Sequence, residues 1–117
     1  MATEVTIEAA PPTDPVAPGL SAAVTVLRML ADPMRAAILD QLATADLCVC
    51  HLQEELGAKQ TLVSHHLKAL RDAGLVETER SGRFTYYRLR AGAFDEVHDA
   101  VQALAAASRG ELPKRPC

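Results

Sequence analysis

Two adjoining runs decide the fold: Thr61-Leu-Val-Ser-His-His-Leu-Lys-Ala-Leu-Arg-Asp-Ala-Gly-Leu75 and, directly after it, Val76-Glu-Thr-Glu-Arg-Ser-Gly-Arg-Phe-Thr-Tyr-Tyr-Arg-Leu-Arg90. In the first, Val63, Leu67 and Leu70 recur at helical spacing, while Gln60, Ser64, Lys68 and Arg71 share the opposite face. That period predicts an amphipathic helix over residues 60–73, ended by Gly74. In the second, residues 76–80 and 84–90 read as strands joined by Ser81-Gly82-Arg83, a hairpin with an arginine at its tip.

Upstream of the long helix, residues 51–56 predict a short helix closed by Gly57. Short helix, glycine turn and long helix, followed by a basic hairpin, make a winged helix-turn-helix. In that module the second helix enters the major groove of duplex DNA, N-terminal end first. Lys59, Gln60, Thr61, Ser64 and His65 then stand where they reach base edges or adjoining phosphates. Gln pairs bidentately with adenine, and Ser or Thr with several bases. Lys68 and Arg71, further along, are expected on phosphates, and Arg83 at the wing tip in or beside the minor groove. His66 falls on the inner side with Val63 and Leu70, a packing position.

The net charge of the 117-residue chain is −3, an unpromising total for a nucleic-acid binder. Its distribution reverses that impression. Residues 59–90 hold seven bases against three acids, and a local basic face is what phosphate binding needs. The length suits one domain. With no Trp, two Phe and two Tyr, the core must be aliphatic, which favours a mainly α architecture with one small hairpin.

The other predicted elements follow the same rules. Residues 1–19, rich in Pro and Ala with three acids and no base, read as a disordered tail. Residues 20–108 form the DNA-binding and dimerisation domain, and 109–117 a flexible C-terminal tail. A first helix over 21–31 carries Leu20, Val24, Leu27 and Leu30. Asp32-Pro33 restarts the chain as N-cap and first helical residue of a second helix, to about Ala43. A last helix over 93–108 carries Phe94, Val97, Val101 and Leu104 on one stripe. The N-terminus has no secretory pattern and no run is long enough to span a membrane, so a cytoplasmic protein with reduced thiols is expected.

Leu47-Cys-Val-Cys-His-Leu52 sets two thiols and an imidazole just ahead of the reading module. On a helix, Cys48 and Cys50 point about 200° apart; they chelate one ion only where the backbone is extended or distorted. Two thiolates favour As(III), Sb(III), Cd, Pb, Cu(I) or Zn over hard cations. The candidates for a third donor are His51, Cys117 of either subunit, or a small exogenous thiol. Asp95 and His98 offer a secondary metal site on the last helix. Thiol oxidation is an alternative input. A Cys-x-Cys without a βαβ setting or a pocket does not point to an enzyme.

Leu30-Ala-Asp-Pro-Met-Arg, Leu47-Cys-Val-Cys, residues 63–75 and Gly82-Arg-Phe-Thr-Tyr-Tyr-Arg-Leu together resemble the ArsR/SmtB family of metal- and metalloid-responsive repressors. The resemblance implies a homodimer through first and last helices, an imperfectly palindromic operator, and release when an ion binds. Cys-Val-Cys is similar to the motif of the arsenite and antimonite sensors, which implies As(III) or Sb(III) as effector, with Cd, Pb, Zn or Ni as alternatives. Two departures stand out. Gln53 occupies the place of those sensors' third cysteine, and Lys59-Gln60-Thr61 replaces a Ser-Gln-Pro or Ser-Gln-Ser opening of the recognition helix.

Overall fold

The computed structural model describes residues 15–117; the first fourteen residues of the expected N-terminal tail lie outside it. Helix α1 runs from Pro18 to Leu30, starting three residues earlier than expected. The reason is Pro18 at the first helical position, where its fixed φ suits the helix and its missing N–H costs nothing.

Helix α2, Pro33–Leu42, starts as the sequence predicts. Asp32 Oδ1 accepts from the backbone N–H groups of Met34 at 2.8 Å and Arg35 at 3.1 Å. The Arg35 amide bond is the largest cause holding the Asp32 carboxyl below its ordinary value; partial burial opposes it, and the Met34 amide adds to it. The Arg35 guanidinium reaches back to the Met29 carbonyl at 3.2 Å, tying α2 to the end of α1.

Helix α3, Val49–Leu56, begins two residues before the expected His51, with Cys48 as its N-cap. Gly57, at φ +60 and ψ +34, turns the chain into α4, Gln60–Asp72. Gly74, at φ +79, ends that helix, with the Leu75 N–H returning to the Leu70 carbonyl at 3.0 Å. Strands β1, Val76–Ser81, and β2, Phe84–Leu89, pair antiparallel from Val76↔Leu89 to Ser81↔Phe84. The turn is therefore only Gly82-Arg83, with Gly82 at φ +63 as a tight two-residue hairpin requires.

Helix α5, Asp95–Arg109, starts later than the expected Ala93 because Gly92, at φ +75, holds residues 91–94 in turns. Residues 111–117 follow without regular structure, all exposed. No helix of the described residues is long and apolar enough to cross a membrane.

The core gathers Ile38, Leu52, Val63, Leu67, Leu70 and Leu75, all essentially inaccessible, from α2, α3, α4 and the segment entering β1. His66 is buried beside them, as its inward position predicts. Ala23 and Val26 of α1 meet Ala93 and Val97 at the α5 end of the same cluster. On α1 the expected stripe of Leu20, Val24, Leu27 and Leu30 is not the buried face, and on α5 the expected stripe divides. Ala23 and Val26 turn inward, while Leu20 and Leu27 stay open; on α5, Val97 is buried while Val101 and Leu104 are exposed. A groove of about 480 Å³ lined by Leu20, Ala100, Ala103 and Leu104 runs between these exposed faces.

Candidate functional site

Cys48 sits with extended backbone, φ −96 and ψ 172, and Cys50 one residue inside α3. The opposed directions that two helical cysteines would take therefore never arise. The helix begins between them, and their Sγ atoms come within 2.9 Å. His51 Nδ1 accepts the Cys48 backbone N–H at 3.1 Å and lies 3.3 Å from Cys48 Sγ. A bond from the third helical residue back to the N-cap amide is one half of a capping box, so the imidazole holds the turn on which both thiols stand.

Donor atoms of Cys48, Cys50 and His51 all lie within 4.8 Å of one another, the one such His/Cys/Asp/Glu group among the described residues. Cys48 is buried and Cys50 exposed. Burial pushes the Cys48 thiol up, but donation from Cys50 and from the His51 and Cys50 amides outweighs it, leaving Cys48 below the ordinary thiol value. The hydrogen bond shared with Cys48 is the largest cause holding Cys50 above that value, and burial adds to it. Of the two thiols, Cys48 is the one shifted toward the nucleophilic thiolate form.

The other sequence candidates stand apart. Cys117 is exposed and outside the cluster. Asp95 and His98 lie on the exposed side of α5, where the His98 ring meets Asp99 at 3.4 Å; among the described residues they belong to no cluster of three donors.

The residues expected to contact DNA lie on and just before α4 and on the hairpin. Lys59, Gln60, Thr61, His65, Lys68, Arg71 and Arg83 are exposed and Ser64 is half-buried. Lys59, the N-cap of α4, gives no side-chain cap and no acid lies in the first turn, so the positive end of the helix is open. The basic residues separate into two groups. Lys68 bonds Asp72 at 2.9 Å across one turn, an exposed pair of small energetic weight. Arg88 is engaged with Glu79, Glu77 and Asp46, and Arg90 donates to the Gly74 carbonyl. These two build the wing rather than present charge. Lys59, Arg71, Arg80 and Arg83 remain without an ion-pair partner among the described residues.

The thiols share one cleft with two of the residues expected to contact DNA, Gln60 and Arg83. A space of about 430 Å³ is lined by Cys48, Cys50, Gln53, Gln60, Arg83, Phe84 and Tyr87. Leu47, next to Cys48, forms an antiparallel bridge with Tyr87 of β2, through mutual bonds of 3.1 and 2.7 Å. The sequence reading missed Phe84, Tyr87 and this bridge. The available signal was the apolar–polar alternation entering Leu47-Cys-Val, too short to tell a bridge from a loop.

Residues 32–78 match the family model described as bacterial regulatory protein, arsR family. The arsenical resistance operon repressor of Staphylococcus xylosus is 35% identical over 86 residues, covering 74% of this chain and 83% of that relative. The chain belongs to the ArsR family. The HTH-type transcriptional repressor SmtB of Mycobacterium tuberculosis is 49% identical over 81 residues, 67% of this chain and 60% of SmtB. The homodimeric winged helix-turn-helix domain of Mb0332 from Mycobacterium bovis superposes with a TM-score of 0.59 at 32% identity, covering 81% of this chain and 90% of that one. This ArsR-family chain is therefore a transcriptional regulator with a winged helix-turn-helix fold, in a family of DNA-binding proteins rather than enzymes.

Proposed function

We infer that this ArsR-family protein is a homodimeric repressor released from a palindromic operator when a thiophilic ion, As(III) or Sb(III) foremost, is captured by Cys48 and Cys50. The observation that carries the reading is the 2.9 Å approach of the two sulfurs in a cleft that Gln60 and Arg83 also line. Relatives named as arsenical resistance repressors support the choice of ion.

Dimerisation is supported by Leu20, Leu27, Val101 and Leu104, an apolar face that α1 and α5 leave uncovered. A two-fold pairing there sets two reading heads side by side, which calls for two related half-sites. On each half-site Gln60, Thr61, Ser64 and His65 read bases. Lys59, Lys68, Arg71 and Arg83 hold the backbone.

Capture starts at Cys48, the more acidic thiol, and Cys50 completes the chelate. Both sulfurs hang on the first turn of α3. Any change of their separation moves the Cys48 N-cap, and with it Leu47 and the bridged Tyr87 of the wing. Through Gly57 it also moves α4. A difference of about 1–3 kcal/mol between the two states changes operator occupancy usefully.

A second reading has one observation in its favour. His51 lies within the donor cluster, and a Cys–Cys–His set suits Cd or Zn better than As(III). The experiment that separates them is fluorescence anisotropy of the reduced protein on its own promoter fragment. Release by near-stoichiometric arsenite, lost in Cys50→Ser and kept in His51→Gln, is the expected result. Release by Cd or Zn alone, lost in His51→Gln, selects the divalent site; release by peroxide in metal-free buffer selects thiol oxidation.

A further inference from the structure

We propose that Phe84 is a wedge. With the wing in the minor groove, its ring enters a base step, kinks the duplex there, and makes the flexibility of that step part of what the protein recognises. The inference deepens the DNA-binding reading above and rests on it.

The large apolar side chains left open fall into groups. Leu20, Leu27, Val101 and Leu104 belong to the face that pairing of α1 and α5 covers, and Leu112 to the terminal segment. The other two, Leu62 of α4 and Phe84 of β2, stand in the winged helix-turn-helix itself. Of the two Phe and two Tyr, only Phe84 is exposed, at 54%. Its cross-strand partner is Ser81, too small to cover a ring. It follows directly on the Gly82-Arg83 turn, so an aromatic side chain stands at the end of the hairpin.

Position and support both suit insertion. Phe84 lines one cleft with Gln60, the first residue of α4, and with Arg83, so it belongs to the side of the molecule that meets DNA. A side chain driven into a base stack must be held stiffly from behind. Here the Leu47–Tyr87 bridge and the engagement of Arg88 with Asp46, Glu77 and Glu79 fix the strand on which Phe84 stands. It must also have cations beside it for the phosphates that flank the step. Arg83 precedes it in the turn and Arg80 pairs with its neighbour Thr85, and neither has an ion-pair partner among the described residues.

The energetics decide what the wedge would read. Apolar side chains at minor-groove steps partly unstack the bases and bend the duplex toward the major groove. Burying the ring offsets that cost. The cost is lowest at flexible pyrimidine–purine steps such as TA or CA and highest in stiff A-tracts. A lone arginine at the same place would hold backbone and sense groove width without this preference for a deformable step.

The test uses the reduced full-length protein on a fragment of its own promoter. 2-Aminopurine replaces successive adenines to detect unstacking, and energy transfer between end-labels reports bending. The wild type is expected to brighten 2-aminopurine at one step under each wing and to bring the ends together. Phe84→Ala should lose both signals and bind about tenfold more weakly, about 1.4 kcal/mol, with its salt slope unchanged because no charge is removed. Phe84→Leu, still an apolar wedge, should keep most of the bend, and both variants should melt as the wild type does, as expected of an exposed side chain. Changing the brightened step to AA should weaken the wild type about tenfold and Phe84→Ala scarcely at all. Wild-type binding with neither signal, or signals that persist in Phe84→Ala, would overturn the proposal. So would unchanged DNA affinity in Phe84→Ala with altered arsenite release, which would assign the ring to the thiol cleft. Failure of the wild type to bind the fragment would overturn the DNA-binding reading itself, and the wedge with it.

Discussion

The two ends of this molecule treat their side chains in opposite ways. At the α1/α5 end, leucines and valines that follow a good helical stripe stay open, with Leu104 at 68% exposure. At the α3/α4/wing end Leu52, Leu67, Leu70 and Leu75 are fully buried, and most charges and one thiol, Cys50, are left outside. The candidate ligand pairs divide the same way. Asp95 and His98 have a regular helical ligand spacing and belong to no donor cluster among the described residues, whereas Cys48 and Cys50, with a spacing that a helix forbids, meet. Within a single chain a helix terminus brings neighbours together better than a helix face does, because the backbone changes direction there. A face finds its partners on another helix.

That contrast is most exposed to a charge placed on the open apolar face. Leu104→Glu should abolish dimerisation by analytical ultracentrifugation and weaken operator binding by about a hundredfold or more, since linked half-sites lose their avidity. Thiol capture of arsenite by the same variant should persist. Loss of both would mean that the two ends are not independent.

A smaller effect is expected at the wing. Arg83→Ala should weaken binding about tenfold, nearly uniformly across operator sequences, and reduce the slope of log affinity against log salt by about one. Arg88→Ala should instead destabilise the wing, because Arg88 is engaged with Asp46, Glu77 and Glu79. A salt slope unchanged in the first and reduced in the second would reverse the division between charge that is presented and charge that builds.

His51→Ala removes the reciprocal cap of α3 and should cost about 1 kcal/mol in urea unfolding. Its arsenite response should survive if the imidazole only holds the turn.

The smallest effect concerns the scaffold and acid. Asp32 has its carboxyl held low in the folded chain, so the stability from its ionisation is complete above the ordinary carboxylate value. That stability is lost as pH falls through the folded value. Asp32→Asn still caps a helix; melting temperature at neutral pH should barely change, while the decline on acidification should become shallower.

Much of this was legible in order along the chain. Asp32-Pro33, Gly57, Gly74 and Gly82 punctuate the elements through local backbone preferences, and Val63, Leu67 and Leu70 mark the inner face of α4 by period alone. Boundaries were less legible where two local signals compete. Pro18 extends α1 into the expected tail, and Gly92 delays α5 past Ala93.

The amino-acid sequence by itself determined the order of elements, the face of α4 turned outward and the presence of two thiols ahead of it, because these depend on contacts within a few residues. Only the tertiary structure decided that the thiols face each other, that Leu47 bridges to Tyr87, and that Gln60 and Arg83 close the same cleft. Those facts depend on where α3 begins and on how the wing folds back over it. The physical reason is that a cap and a bridge are each made by groups distant in direction or in sequence, and no periodicity records them.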